Sequence, residues 1–237
     1  MAFVKINFEK FFFIACWSLL FVLVTVFRGQ VLEQFSFKYA DSDQAIMWNA
    51  ALEFSNGHFY EPKFWGQDYN SMLEGLLAAP LLLLSVPAYK ALPIITSFLA
   101  LFPFFTVSIF CLSKKLNTQA ILALSIPLLL PVEYDFLSSL SRGFVTGIFV
   151  SSLGWLAIFY KEKSWAVFCF GFFTLVGYLL NPNALLLSLP LFIYLLLENK
   201  KQKTFYISLG IGAFLGSILL FLSTNFYTTH QNYSTVS

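Results

Sequence analysis

Charge is the scarcest property of this chain. Asp, Glu, Lys and Arg make up 11% of its 237 residues, where an ordinary soluble domain carries about a quarter. That shortage excludes a conventional water-exposed globular domain. Histidine is limited to His58 and His230, which excludes a histidine-rich metal site. The three cysteines, Cys16, Cys111 and Cys169, are scattered through apolar segments and form neither a disulfide framework nor a metal-ligand spacing. No stretch alternates apolar and polar residues with period two, which argues against a lipid-exposed β-barrel. The net charge of +2 gives no nucleic-acid surface, because many of the basic residues gather at the ends of apolar runs, where they signal topology.

What the chain has is apolar length: 58% of its residues are hydrophobic and 19% aromatic. Runs at 11–26, 91–112, 144–160, 165–180, 184–197 and 205–222 approach the ~20 residues that a helix needs to cross a ~30 Å hydrocarbon core. A shorter run, 119–132, holds Pro127 and Pro131. The expectation is an all-α, polytopic membrane helix bundle, one transmembrane domain over 1–237. It would have about seven spans plus an external loop with short interfacial helices. The first run follows Lys5 and Lys10 and ends at Arg28-Gly29 with no clear small-residue cleavage site, so it reads as a retained span rather than a signal peptide.

Lysines recur at Lys114-Lys115, Lys161 and Lys163, and Lys200, Lys201 and Lys203; the positive-inside bias places all three clusters on the cytoplasmic side with Lys5 and Lys10. Segment 72–89 decides whether that works. A full crossing would put the clusters outside; a segment that lies along the interface, or dips in and returns, puts them inside. Glu74, Pro80 and Pro87 weaken it as a plain span, which favours the second arrangement. Loop 30–71, turn 133–142, residues 181–183 and the tail from 224 then share the outer face.

Six of the 12 acidic residues fall between Gln30 and Ser71. Within this block Ser42 is expected to cap a helix and Asp43 to occupy its first turn. Ile46, Met47, Ala50, Ala51 and Phe54 recur at three- and four-residue spacing, giving a short amphipathic helix that ends near Asn56-Gly57. Tyr60, Phe64 and Trp65, with His58 nearby, have the mixed character of a membrane interface. Each residue also has a bland reading: Asp43 a helix-start acid, Asp41 a solvated loop acid, His58 a surface histidine, Glu74 an acid favouring the next helix, Arg142 a snorkelling arginine. An all-carboxylate ion site from Asp41 and Asp43 is conceivable.

The string Ser42-Asp43-Gln44-Ala45, then Gly57, Phe64-Trp65-Gly66-Gln67-Asp68-Tyr69, Leu73-Glu74 and Ala78-Ala79-Pro80 resembles the first external loop of GT-C glycosyltransferases. These multi-span enzymes include the dolichyl-phosphate-mannose-dependent and lipid A aminoarabinose transferases. Weaker echoes follow at Ser141-Arg142-Gly143 and Asn181-Pro182. Gln44 stands where many members carry Glu, and the chain is shorter than most members, as a truncated or minimal version would be.

The resemblance implies transfer of a sugar from a polyprenyl-phosphate donor to an acceptor hydroxyl outside the bilayer, the acceptor being a glycan, lipid or protein. It implies a multi-pass protein of the bacterial inner (plasma) membrane, with residues 30–71 as the catalytic-type loop. Asp43 would be the general base, with Asp41 as second choice. Arg142 would face the leaving phosphate. Gln67, Tyr69 and Glu74 would bond sugar hydroxyls, and Trp65 would stack on a sugar ring. Asp135, with Glu133, would position the acceptor or share a divalent cation with Asp43; no organic cofactor is implied. Two other classes stay open. A transporter or flippase would use Pro93, Pro103, Pro127 and Pro190 to break helices, although no deep span carries a charge and no internal repeat is visible. A non-catalytic membrane assembly subunit is the third reading.

Overall fold

The structure, a computed structural model, describes residues 8–32, 34, 40–67, 70–129 and 140–230. Every regular element among the described residues is helical: α1 (Phe8–Val31), α2 (Ser42–Ser55), α3 (Leu73–Leu83), α4 (Ala88–Ser113), α5 (Asn117–Leu129), α6 (Phe144–Leu153), α7 (Leu156–Phe159), α8 (Ser164–Leu180), α9 (Leu185–Asn199) and α10 (Lys203–Thr229), with a 3-10 turn, Pro182–Ala184, leading into α9. Four helical stretches are long and apolar enough to cross a membrane: Phe12–Val31, Ala88–Ser113, Pro182–Asn199 and Lys203–Thr229. The chain is therefore a helical membrane protein. The expected set of about seven full-length spans is narrowed by helix length, since α5 has 13 residues, α6 has 10 and α8 has 17.

Proline does not break the bundle where the sequence allowed it to. α4 runs through Pro93 and Pro103, α5 through Pro127 and α9 through Pro190. Pro87 instead stands immediately before α4 as its N-cap, in extended backbone, separating it from α3. At 11 residues, α3 is roughly 17 Å long, about half the hydrocarbon thickness, so it does not cross alone. Its Glu74 meets Thr96 of α4 across a connection of only four residues, so the two helices run antiparallel.

The buried stripe of α2, Met47, Ala50, Ala51 and Phe54, packs with Ala78 and Ala79 of α3 and Ala91 and Leu92 of α4, joined by Phe64 and Met72. On the other side α1 docks Val24 against Leu101 and Leu124, and Trp17 Nε1 donates to Ser108 Oγ at 2.8 Å. α8 and α10 approach closely because glycines line their seam. A Cβ on Gly171 would sit 2.5 Å from the Leu209 carbonyl oxygen, and one on Gly212 would collide with the Phe168 carbonyl. Small residues let helix backbones meet in this way where lipid offers no hydrophobic drive.

The bundle has two chemically different ends. Lys114, Lys161, Glu162 and Lys163 line one hollow, and Lys161 pairs with Glu198 near the end of α9. α8 begins at this end and runs 17 residues, roughly 25 Å, to Asn181. There the chain meets the polar block.

Candidate active site

The helix start that organises the block lies one residue earlier than expected. Asp41, not Ser42, is the N-cap of α2: its carboxylate accepts from the Asp43 and Gln44 amides, and Gln44 Oε1 accepts from the Asp41 amide at 2.8 Å. This reciprocal capping box gives Gln44 a structural use. Ser42 is simply the first helical residue. At the other end of α2, Gly57 has φ +83°, the Gly57 amide bonds the Phe54 carbonyl and the His58 amide the Glu53 carbonyl. That is a Schellman cap, closed by Phe54 stacked on Phe59.

Asp41 also binds Arg142, with Nη2 2.5 Å from Oδ2, across 101 residues of sequence. The pair is partly exposed, so it fixes the position of the Arg142 loop more than it stabilises the fold. Asp43 is half-buried, and its carboxylate makes no hydrogen bond or ion pair among the described residues. Two candidate acids therefore have distinct situations: Asp41 is engaged on two sides, and Asp43 is available.

Beneath this pair lies a buried polar layer. Gly66, at φ +84°, is the third residue of a turn closed by the Gln67 amide on the Phe64 carbonyl, a position that requires positive φ. The turn presents Gln67 Oε1 to Asn70 Nδ2 at 3.1 Å. Asn70 Nδ2 also donates to the Arg142 carbonyl at 3.2 Å, and Asn70 Oδ1 accepts from Asn181 Nδ2 at 2.5 Å. Ser71 Oγ donates to Thr146 Oγ1. Glu74 is wholly buried, 0% exposed: Oε1 accepts the Gly143 amide at 2.8 Å, Oε2 accepts Thr96 Oγ1 at 2.5 Å, and Thr96 also bonds Ser141. Gly143, at φ +81°, packs where a Cβ would meet the Ser71 carbonyl at 3.0 Å. Ser141-Arg142-Gly143 is thus clamped between Asp41 above and Asn70 and Glu74 below.

Of the residues singled out from sequence, Asp41, Arg142, Gln67 and Glu74 are tied into this cluster, with Asp43 at its edge. Trp65 is half-buried, edge-on to Tyr60 with ring centroids 5.8 Å apart. Tyr69, Asp68, Glu133 and Asp135 lie outside the described residues. Among the described residues no three His, Cys, Asp or Glu side chains gather. The bonding partners Asn70, Ser71, Thr96 and Thr146 carry one local signal in the sequence, the polar pair Thr96-Ser97 inside an apolar run, whereas Ser141 and Asn181 lie in the weaker echoes at Ser141-Arg142-Gly143 and Asn181-Pro182. A buried cation, Arg28 in the last turn of α1, bonds Ser97 through Nε at 3.3 Å, at the helix end where a positive charge is favoured.

Burial raises the Glu74 carboxyl from 4.5 to about 7, against the lowering effect of the Thr96, Gly143 and Ser141 bonds. The native state therefore holds this proton where the unfolded chain releases it. The stabilisation is complete below pH 4.5 and declines as pH rises toward about 7. By linkage the difference is about 3 kcal/mol. Glu74→Gln keeps an acceptor for Gly143 and a polar group for Thr96 without the titration. Thermal midpoints measured from pH 4.5 to 7.5 are expected to fall in the wild type and to lose that component in the variant; parallel curves would contradict it.

Compared with protein-family models, curated proteins and solved structures, the chain matches none.

Proposed function

We propose that this chain is a membrane glycosyltransferase of GT-C type, moving a sugar from a polyprenyl-phosphate donor to an acceptor hydroxyl at the outer face. The observation that carries the reading is the stacking of a polar cluster over an apolar cavity. Asp41, Asp43, Arg142, Asn70 and Asn181 converge at the end of the bundle opposite the lysines. Directly below, Leu99, Ala100, Pro103, Val145, Ile148 and Leu186 help to line an apolar cavity of about 280 Å³. Leu99 lies one helical turn past Thr96, Val145 two residues past Gly143 and Leu186 five past Asn181, so the cavity begins where the polar layer stops. A lipid phosphate-sugar has that same division between isoprenoid tail and polar head.

In this arrangement Asp43 takes the proton from the acceptor hydroxyl as its oxygen attacks the anomeric carbon. The bond from that carbon to the phosphate oxygen breaks, and polyprenyl phosphate leaves carrying the negative charge. The transition state has oxocarbenium character, and Arg142, whose guanidinium has five donors, faces the departing phosphate while Asp41 orients it. Glu74 and Asn70 hold the Arg142 loop. Removing one such charge-stabilising donor costs about 10²–10³-fold in rate. Arg142→Gln is accordingly expected to slow transfer by about that factor and to weaken binding of free polyprenyl phosphate. Unchanged transfer would remove Arg142 from the mechanism. The continuous proline-bearing helices take away the feature that had favoured a transporter.

For topology, we infer seven crossings: α1, α4, α5, α6 with α7, α8, α9 and α10, with α2 and α3 at the outer interface. The convergence of Lys114, Lys161 and Lys163 at one end supports placing that end in the cytoplasm. Single cysteines at Asn183 and Lys163, in a background without native cysteines, give the check. An impermeant thiol reagent applied to intact cells is expected to label position 183 and spare 163; the reverse pattern would invert the site.

A further inference from the structure

Beside the outward face of α2 runs an open groove of about 530 Å³, lined by Asn49, Leu52, Glu53, Tyr60, Glu61 and Trp65, within the size range of small-molecule sites. The returning arm of the loop, which carries Tyr60, Glu61 and Trp65, forms its far wall. It is held there by Tyr227 of α10, whose hydroxyl donates to Glu61 Oε2 at 2.9 Å and accepts the Lys63 amide at 3.0 Å.

The groove's polar groups are only half satisfied. Glu53 receives His58 Nδ1 and the Tyr60 hydroxyl, each at 2.9 Å and both through Oε2. Oε1 of Glu53 and Oε1 of Glu61 make no bond among the described residues, and neither does the Asn49 amide. Among the described residues no basic side chain lines the groove, which disfavours phosphates and other anions.

The complement of two acceptor oxygens, an amide that both donates and accepts, and the apolar surfaces of Leu52, Tyr60 and Trp65 is a ring bearing several hydroxyls on an apolar face. We propose that this groove binds a neutral sugar unit of the acceptor, so that the acceptor is a saccharide rather than a protein side chain. The name acceptor rests on the transferase reading; saccharide binding does not. Asn49 lies six residues beyond Asp43 on α2, roughly 9 Å along the helix axis. The bound unit is therefore separate from the hydroxyl that reacts at Asp43, and the acceptor spans more than one sugar.

The test uses the full chain in nanodiscs without donor, with maltotetraose and chitotetraose as probes and saturation-transfer NMR as the readout. At least one probe is expected to bind. Leu52→Trp, which fills the groove from an exposed position, and the double variant Glu53→Gln with Glu61→Gln are each expected to weaken it at least tenfold. No binding of either probe, or equal binding by wild type and Leu52→Trp, would overturn the proposal. So would preferential binding of a neutral tetrapeptide at the same groove. Binding that Leu52→Trp abolishes supports the groove even in a protein that transfers no sugar, so failure of the transferase reading is a distinct result.

Discussion

Asp43→Asn is expected to reduce sugar transfer by about 10²–10⁴-fold, the usual contribution of a positioned general base, with little change in thermal stability. The separation follows from geometry. Asp43 is half-buried, its carboxylate has no partner among the described residues, and the helix cap beside it is made by Asp41. Asn has nearly the same shape, so what is lost is the ability to take a proton. Asp41→Ala is the informative contrast. It removes the cap, at about 0.5–2 kcal/mol, and frees Arg142 from its 2.5 Å partner, so activity and stability should fall together. Kinetics and thermal melts on both variants decide the roles. Full activity in Asp43→Asn with a large loss in Asp41→Asn would exchange the two acids.

Gly147→Leu is expected to damage both the bundle and the site. A Cβ at Gly147 would collide with the Asn181 carbonyl and lie 2.9 Å from the Gly177 carbonyl. Both obstacles are backbone at the end of α8, which cannot swing aside as a side chain can. Overpacking typically costs 1–3 kcal/mol; against backbone, and with a branched side chain, about 3 kcal/mol or more is expected. The damage reaches function too, because displacing Asn181 breaks its 2.5 Å bond to Asn70 and so loosens the support beneath Arg142. Gly212→Leu offers the comparison: it forces α10 away from the Phe168 carbonyl of α8 without touching that network. Size-exclusion profiles and melting curves in detergent measure the first effect. A monodisperse Gly147→Leu protein with an unchanged midpoint would show that α6 and α8 do not pack as described.

The helical character, the polar block and the α2 face of Met47, Ala50, Ala51 and Phe54 were legible in sequence because each depends on local composition or on a 3.6-residue period. The cap was missed by one residue for a physical reason. Asp41 and Ser42 both suit an N-cap, and the choice falls to Asp41 because Gln44 lies three residues on and closes the box. Glu74 was legible as an important acid, but not as a wholly buried one. Its partners, Thr96, Ser141 and Gly143, come from two distant segments. Asn70 and Asn181 are 111 residues apart, and nothing in either neighbourhood announces the other. Hydropathy counted seven apolar runs, whereas length and composition mark four helical stretches among the described residues as full-length spans, because turns cut α5, α6 and α8 short. Gln44, read as a missing acid, is a component of the helix start.

The most direct measurement of the central claim follows a polyprenyl-phosphate sugar and a saccharide acceptor incubated with the purified chain in liposomes. Both products are weighed by mass spectrometry, and the donor is located across the bilayer. Transferase action predicts an acceptor heavier by one sugar residue and an equal amount of free polyprenyl phosphate, both lost in Asp43→Asn. Donor recovered intact on the opposite leaflet, with acceptor mass unchanged, would contradict it.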